Sequence, residues 1–348
     1  MSQNQQVVPA EHLSPDGKIS IGLLLPDHSY TGVVAAAKLA IEDANLSGGY
    51  KNREFELVVR TAEGFWGAGS KESVSLVYED HVRAIIGYLD GRNGHLAEQV
   101  ATKSHLTYIE TLATEPTLSQ AFVPWFMRVV PNDNQQSAVI LKQILQKGGG
   151  TIGILSTDTY DTRYAVRSLT KAVARETGMA PVLIELDSSS NIQRKVAEQI
   201  LSSHIDHLVI PFDADYLSEL IITLGQVKPD LKIYGTLHFT MGVEKRSSGW
   251  NQYEGVYMIR PHVDRKKFSS LPDTRSAYMY DAVKLVINAI HMAGTKRETI
   301  TDYISDSIYS GGATGSYSFD ELGNRQSLPG LIHIEKGVPR MITSPIKP

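Results

Sequence analysis

The sequence has no cysteine in its 348 residues. This absence excludes disulfide bonds, a thiol nucleophile, and zinc or iron–sulfur centres held by cysteine. Long apolar runs are also missing, because none approaches the ~20 residues that a membrane-spanning helix needs. Residues 1–17 are polar and lack the apolar core of an export signal, so we expect them to form a disordered or extended segment. A cytoplasmic protein and an exported protein whose signal has been removed both fit these observations.

An excess of charge of either sign is missing as well. The sequence has 34 Lys and Arg against 38 Asp and Glu, which gives a net charge of −4. This balance argues against a nucleic-acid partner, since such proteins carry basic patches. The apolar fraction of 42% is typical of a folded globular chain. The length is about twice that of a common domain, which favours two lobes.

Short apolar runs alternate with helical patterns in the first third of the chain. Strand–helix alternation of this kind predicts a parallel sheet covered on both faces. The predicted elements are strands at Lys18–Pro26, Glu54–Arg60, Arg83–Gly87 and Leu106–Glu110, and helices at Thr31–Asn45, Ser70–Glu79 and Asn93–Ser104.

The alternation restarts after the segment Trp125–Val130 and a helix at Asn132–Lys147. Two such runs predict an α/β fold of two doubly wound, Rossmann-like lobes, whose ligand site lies at the carboxyl ends of the strands. The later predicted elements are strands at Thr151–Leu155, Pro181–Glu185, Asp206–Pro211, Lys232–Gly235 and Leu331–Glu335, and helices at Tyr160–Thr177, Ile192–Ser203, Ala214–Val227 and Asp273–Ala293.

The motifs that carry catalysis or metal binding are incomplete. Gly64–Lys71 resembles a phosphate loop, but Ser70 stands where the lysine belongs. The pair His204 and His207 straddles a predicted helix end, so surface histidines explain it better than a metal site. The sequence contains neither G-x-S-x-G nor H-E-x-x-H. We therefore predict no catalytic residue, no metal and no cofactor.

Polar loops that follow predicted strands supply the candidate ligand residues. They present hydroxyls, amides and free helix N-terminal N–H groups, which suit an anion or a carbonyl oxygen. Tyr30, Trp66 and Tyr160 could supply apolar walls, although ordinary packing explains each of them equally well. The loops hold Ser29 and Tyr30 in DHSYT, Arg92 and Asn93 in YLDGRN, Thr114 in LATEPTL, and Tyr160 in TDTYD.

Five segments carry a resemblance to a known family. They are Lys18–Pro26 with Tyr30-Thr31-Gly32, His81–Gly87, Phe126–Asp133, Tyr280–Val283 and Gly315–Gly323. In this order they resemble motifs of the type I periplasmic binding proteins of the branched-chain amino acid transport class. The resemblance covers roughly residues 18–335. It implies two lobes joined by a three-segment hinge that close on one small molecule.

The resemblance also implies lobe boundaries and roles for some residues. Lobe 1 would comprise residues 18–128 and 255–326, and lobe 2 residues 129–254 and 327–348. Thr114 matches the threonine that holds the polar head of the ligand, and Tyr160 matches the tyrosine that closes over it. Asp213 lies on a second-lobe loop that lines the cleft.

Two departures from the family pattern bear on the ligand. Gly91 stands where the amino-acid binders have a serine, and Arg92 follows it. The stretch Gly235–His238 has no acid for a ligand ammonium, which would be costly to bury alone. His238 remains a candidate ligand residue in that stretch. We therefore expect an organic acid with an apolar or aromatic part, which Arg92 could clamp through two N–H bonds.

The resemblance implies a function in solute capture. The chain would be a monomeric periplasmic binding protein that delivers its ligand to the membrane permease of an ABC transporter or to a sensor protein. It would bind no nucleic acid and would not insert into the membrane. A cytoplasmic ligand-sensing regulator on the same fold is the alternative. An α/β enzyme is a second alternative, for which no catalytic motif is present.

Overall fold

The computed structural model describes residues 17–64, 67–121, 123–186, 192–246, 249–264 and 266–343. The candidate residue Trp66 and the predicted N-terminal segment up to residue 16 lie outside these ranges. The chain forms two compact units. Unit 1 contains the described residues up to Pro131 together with Val263–Ser327, and unit 2 contains Asn132–His262 and the described residues from Leu328 onward.

The first segment of unit 1 alternates strands with helices. A short 3₁₀ helix, Pro116–Ala121, precedes the last strand. The elements are β1 (Ile19–Leu25), α1 (Thr31–Leu46), β2 (Phe55–Thr61), α2 (Ala68–Tyr78), β3 (Ala84–Gly87), α3 (Gly91–Lys103), β4 (Thr107–Glu110) and β5 (Phe126–Arg128).

Unit 2 repeats this alternation in its first segment. Its elements are α4 (Asp133–Gln146), β6 (Ile152–Ser156), α5 (Tyr160–Thr177), β7 (Val182–Glu185), α6 (Ile192–Ser202), β8 (His207–Ile210), α7 (Leu217–Val227), β9 (Lys232–Gly235), α8 (Leu237–Lys245) and β10 (Tyr257–Ile259).

The last part of the chain contributes to both units. It adds α9 (Thr274–Ala293), α10 (Arg297–Asp306), β11 (Tyr309–Gly312) and β12 (Gly315–Tyr317) to unit 1. It adds β13 (Leu331–Glu335) and β14 (Val338–Thr343) to unit 2.

Each unit is built around one large sheet, and β11 and β12 of unit 1 form a separate two-stranded sheet. In unit 1 the strand order is β2-β1-β3-β4-β5, and all neighbours are parallel. In unit 2 the order is β14-β13-β10-β9-β8-β6-β7, with β13 and β14 antiparallel to the strands beside them. The central strands β1, β3, β4 and β8 are buried along their whole length, as strands with helices on both faces must be. The predicted α/β fold of doubly wound lobes is confirmed.

Local signals in the sequence explain where the main helices begin and end. The Asn132 side chain accepts a hydrogen bond from the Gln135 backbone N–H at 3.0 Å. The Gln135 side chain accepts one from the Asn132 backbone N–H at 2.9 Å, and the two bonds form a capping box for α4. The Asp273 carboxylate caps α9 by accepting the Ser276 N–H at 2.7 Å. Helix α5 ends at Gly178, whose φ of 71° only glycine adopts without strain.

One predicted boundary differs from the structure. Residues after 254 were expected in lobe 1, but β10 is hydrogen-bonded to β9 and β13 and so belongs to the sheet of unit 2. Unit 2 therefore continues to His262. The sequence analysis predicts no strand at Tyr257–Ile259 and assigns these residues to lobe 1.

The late motif residues hold unit 1 together. The Asp281 carboxylate is fully buried and accepts the backbone N–H groups of Ala313 and Thr314 at 2.6 and 2.9 Å. The Arg325 guanidinium donates to the carbonyl of Thr314 at 2.7 Å. Gly323 has a φ of 73°, and a Cβ at this position would overlap the carbonyl oxygen of Phe126. These residues of the family motifs therefore have structural roles.

Candidate functional site

Five of the candidate residues lie at one edge of the unit 1 sheet. Strands β1, β3 and β4 are parallel neighbours, so the loops that follow them emerge at the same edge. The candidates at this edge are Ser29 and Tyr30 after β1, Arg92 and Asn93 after β3, and Thr114 after β4.

Two tyrosines and an arginine meet at this edge. The rings of Tyr30 and Tyr88 have centroids 5.1 Å apart and planes inclined by 57°. Arg275, in the first turn of α9, interacts electrostatically with both tyrosines. Burial raises the pKa of Tyr88 well above its usual range, so this phenol stays neutral. Tyr88 is the first residue of the YLDGRN loop but is not among the predicted candidates, and Arg275 lies in no predicted motif.

The start of α3 orders Asn93 but leaves Arg92 on the surface. Asp90 caps the helix by accepting the Asn93 N–H at 2.8 Å, and it also accepts the Asn93 side-chain amide at 3.1 Å. Arg92 is exposed and Asn93 is half-buried. The Asn93 amide is therefore engaged in the turn, whereas the predicted role of Arg92 as a ligand clamp stays a prediction.

A buried carboxylate shapes the loop that leads to Thr114. Glu110 Oε1 accepts the backbone N–H groups of Thr111, Leu112 and Ala113 at 2.9, 2.8 and 3.1 Å, and Oε2 accepts the Tyr108 hydroxyl at 2.5 Å. Burial raises the pKa of Glu110 to about 7. This set of bonds fixes three consecutive peptide groups and so sets the position of Thr114, which is only 4% exposed.

A buried arginine fixes the far end of the same loop. The Arg128 guanidinium donates to the carbonyl of Glu115 at 2.6 Å, to the side chain of Asn324 at 3.0 Å, and to the hydroxyl of Ser119. Arg128 has no exposed surface. The loop is thus held at both ends by fully buried ionisable side chains whose hydrogen bonds restrain it.

A histidine adds a third restraint on this loop. His95 Nε2 lies 2.8 Å from the buried carboxylate of Glu115, and Nδ1 lies 3.5 Å from that of Glu98. Hydrogen bonds to these two acids raise the pKa of His95 to about 9. The histidine is therefore positively charged at neutral pH and offsets the charge of the two acids.

Unit 2 has a corresponding edge of its own. Strands β6, β8 and β9 are parallel neighbours, and the loops after them carry three candidates. These are Tyr160 at the start of α5, Asp213 after β8, and His238 in the first turn of α8. The structure therefore collects the second-lobe candidates at one sheet edge.

Tyr160 belongs to an aromatic and cationic face of α5. Its ring centroid lies 5.1 Å from that of Tyr164. Together with Arg163 and Arg167, the two tyrosines line a cavity of about 380 Å³. The positions i, i+3, i+4 and i+7 share one side of a helix, which explains why four such residues lie together.

Asp213 is engaged by a cation of its own unit. Its carboxylate forms an ion pair with Arg246 just beyond α8, and it packs on Gly242 so closely that a Cβ there would overlap it. The Asp213 side chain keeps 32% of its surface exposed.

Among the residues within the described ranges, no group of three or more His, Asp or Glu side chains could hold a metal ion. No helix in those ranges is long and apolar enough to cross a membrane.

The chain belongs to the periplasmic binding protein family. The family model, described as "Periplasmic binding protein", matches residues 18–324. This match accounts for the two doubly wound units and for the order of the five motifs. The resemblance stated from the sequence is therefore confirmed.

Solved structures of substrate-binding proteins share the fold. An ABC transporter substrate-binding protein from Desulfitobacterium hafniense has a TM-score of 0.78 at 18% identity, with 93% of this chain and 100% of that chain covered. The branched-chain amino acid protein LivJ from Streptococcus pneumoniae, in complex with isoleucine, has a TM-score of 0.77 at 20% identity, with coverages of 95% and 100%. A solute-binding protein from R. palustris in complex with benzoate has a TM-score of 0.78 at 14% identity, with coverages of 95% and 98%.

Curated relatives match shorter stretches. Glutamate receptor 3.7 of Arabidopsis thaliana is 29% identical over 141 residues, which is 40% of this chain and 15% of the receptor. The chemotactic signal transduction system substrate-binding protein BasB of Halobacterium salinarum is 30% identical over 146 residues, which is 40% of this chain and 33% of BasB. The matches span a third or less of these proteins.

Proposed function

We propose that the protein is an extracytoplasmic solute-binding protein of an ABC transporter. It captures a small organic ligand by hinge closure, as the family resemblance implies, and releases it chemically unchanged. The observation that carries the proposal is that each unit collects hydroxyl, aromatic and charged side chains at the carboxyl edge of its own sheet. Edges of this kind bind ligands in doubly wound folds. The protein is expected to act as a monomer outside the cytoplasm.

The proposed ligand is an organic carboxylate with an apolar or aromatic part. Gly91 and the stretch Gly235–His238 lack the serine and the acid that the amino-acid binders of this family use. A buried ammonium without an acceptor costs several kcal/mol. Among the similar structures, one holds benzoate and another isoleucine, so the shared fold accommodates both kinds of ligand.

Two partners fit the proposal. A membrane permease is the partner that the structural neighbours suggest, since they are ABC transporter proteins. The similarity to BasB, a substrate-binding protein of a chemotactic signal transduction system, supports a sensor as the second candidate. The closed, liganded form would be the form that either partner recognises.

A binding screen tests the proposal. A ligand that binds the folded protein raises its melting temperature by an amount that grows with concentration over Kd. Amino acids, aliphatic acids and aromatic acids are screened by thermal shift, and each hit is measured by calorimetry. We expect Thr114→Ala to weaken the binding of a hit about tenfold, because it removes a hydrogen bond to the ligand.

A matched control separates binding from stability. Thr223→Ala removes a hydroxyl that only donates to the carbonyl of Glu219 within α7, so it should leave ligand affinity unchanged. Thr114→Ala should leave the melting temperature of the unliganded protein nearly unchanged. A large loss of unliganded stability would mark Thr114 as structural, and turnover of a bound compound would point to an enzyme instead.

A further inference from the structure

We propose that the surface formed by α4 and α5 of unit 2, here called the α4–α5 face, is a docking surface for an acidic helix of a partner protein. A row of cations on α5 binds the acids of that helix, and an apolar groove between α4 and α5 receives its apolar side chains. The inference rests on the proposed function, since it names the chemistry that the proposed permease or sensor partner presents.

Four cations follow one another at four-residue spacing along α5. They are Arg163, Arg167, Lys171 and Arg175, and all four side chains are exposed. Residues four positions apart lie on the same side of a helix, about 6 Å from each other, so the row extends over about 18 Å. Glutamates four positions apart on a second helix have the same spacing, and they can therefore face the cations one by one.

The row is unfavourable for α5 itself. Like charges four positions apart destabilise a helix, and the row has three such pairs in succession. The whole chain has a net charge of −4, so the row is a local concentration of positive charge. A surface that binds acids explains this grouping. An anionic lipid surface is a poorer match, because it repels a chain of negative net charge.

Neighbouring acids compensate the row only weakly. Arg163 lies 3.8 Å from Asp158, whose side chain is 99% exposed, and Arg175 hydrogen-bonds to its exposed neighbour Glu176 at 2.8 Å. Exposed pairs of this kind contribute little and exchange readily for other partners. Within the part of the chain that the structure describes, the two middle cations of the row form no ion pair.

An apolar groove adjoins the end of the row at Arg175. It has a volume of about 450 Å³ and combines apolar side chains of α4 with charged side chains of both helices. Its lining includes Ala138, Leu141 and Leu145 together with Lys142, Arg175 and Glu176. Leu145 keeps 43% of its surface exposed. Apolar surface beside cations fits a partner helix that carries apolar side chains beside acids.

The groove lies away from the candidate ligand residues of unit 2. Helix α5 begins at Tyr160, on the carboxyl edge of the sheet, and Arg175 lies about 22 Å further along the helix. The groove is therefore at the opposite end of α5 from Tyr160, and a partner seated there does not occupy the ligand edge.

Binding of a synthetic peptide tests the inference. The probe is a fluorescent helical peptide of about 20 residues, or ~30 Å of helix, with glutamate at every fourth position and leucine beside each glutamate. In a second peptide glutamine replaces glutamate. Fluorescence anisotropy of the wild-type protein should show at least about tenfold tighter binding of the acidic peptide, and a preference that falls as salt is added. The row variant, Arg167→Gln with Lys171→Gln and Arg175→Gln, should weaken the acidic peptide about tenfold, and Leu145→Gln should weaken it severalfold.

A matched triple variant controls for net charge. Lys38→Gln, Lys71→Gln and Lys103→Gln remove three exposed cations from three helices of unit 1, so this variant has the same net charge as the row variant. It should bind the acidic peptide as tightly as the wild type does. The melting temperature of the row variant should not fall, because like-charge repulsion is removed. A large fall would show that the row is structural.

The possible outcomes separate this inference from the proposed function. Equal binding of the two peptides, binding of neither, or unchanged affinity in the folded row variant would overturn the docking surface. Binding to phosphatidylglycerol vesicles that the row variant loses would assign the row to a lipid surface instead. A dimer in sedimentation that the row variant loses would assign it to a second copy of the chain, and either result would overturn an acidic helix as the occupant. Solute capture is tested separately by the thermal-shift screen, which does not involve this face.

Discussion

The sheet edges of the two units carry similar loops but hold them in different ways. In unit 1 the loop that leads to Thr114 is fixed by Glu110 and Arg128, both fully buried. In unit 2 the candidate Asp213 is held by a single arginine, and its side chain is one-third exposed. The first edge is anchored by fully buried ionisable side chains, and the second by an ion pair that is partly exposed to water.

This difference has an energetic meaning. Buried hydrogen bonds to charged groups are costly to break, because the partner left behind loses its bonds without regaining water. Partly exposed ion pairs contribute little and rearrange easily. Unit 1 therefore presents a rigid edge with a fixed pattern of donors, whereas the edge of unit 2 can adjust its side chains to a ligand.

The largest effect should come from removing Arg128. Arg128→Met removes the donor to the carbonyl of Glu115 and to the hydroxyl of Ser119, whereas Asn324 Oδ1 still accepts the Ser119 hydroxyl at 2.5 Å. We expect a loss of about 3 kcal/mol or more in the free energy of unfolding, because three buried hydrogen bonds from a charged donor are lost. Urea denaturation measures this loss. Hydrogen exchange in a peptide covering residues 107–121 should rise with it.

Arg194→Met provides the control for this change. It alters an exposed arginine in the same way and should leave the free energy of unfolding nearly unchanged. If Arg128→Met lowers the free energy of unfolding as little as the control does, the unit 1 edge is held no more firmly than the protein surface.

Alanine substitutions at two glycines, one in each unit, test how firmly the two edges are packed. A Cβ on Gly87 would overlap the Tyr108 hydroxyl, which is buried and bonded to Glu110. A Cβ on Gly242 would overlap the carboxylate of Asp213, whose side chain is one-third exposed. We expect Gly87→Ala to cost about 1–3 kcal/mol by overpacking and Gly242→Ala clearly less. Thermal denaturation of both variants measures the difference, and equal costs would contradict the contrast between the edges.

The smallest effect should be a dependence of unit 1 stability on pH. Burial raises the pKa of Glu110 from 4.5 to about 7, so between these values the folded protein holds a proton that the unfolded chain releases. The free energy of unfolding should therefore fall as the pH rises from about 5 to 7. Urea denaturation of the wild type and Glu110→Gln across this range measures the effect. In Glu110→Gln the free energy of unfolding should fall less steeply between pH 5 and 7 than in the wild type. An equal fall in both proteins would show that groups other than Glu110 cause it.

Much of the fold could be predicted because its signals are local. Helix α5 was predicted at its observed bounds, since a polar N-terminus, an amphipathic stripe and Gly178 mark it. Helix α8 was missed because most of its residues are buried, so Leu237–Lys245 shows no clear alternation of polar and apolar residues. Strand β10 was missed because it has only three residues.

The candidate site was harder to predict, for a physical reason. From strand order alone, the loops after parallel strands could be placed at the carboxyl edge of each sheet. This placement made Tyr30 and Thr114 candidates in unit 1 and Tyr160 a candidate in unit 2. Arg275 lies far away in the sequence, and only the packing of α9 in unit 1 brings it to Tyr88. Such proximity has no signature in residue spacing. The hydrogen bonds of Glu110 could not be predicted from the sequence either, because a single acid at a strand end has many possible partners.

The division of the last part of the chain between the units has a consequence for biosynthesis. Unit 1 needs Asp281, Thr314 and Arg325 to complete its buried network, and unit 2 needs β13 and β14 to extend its sheet beyond β10. A ribosome that has made only the first 262 residues has therefore released neither unit in a finished state. Strand β10 keeps one edge unpaired until β13 has been made.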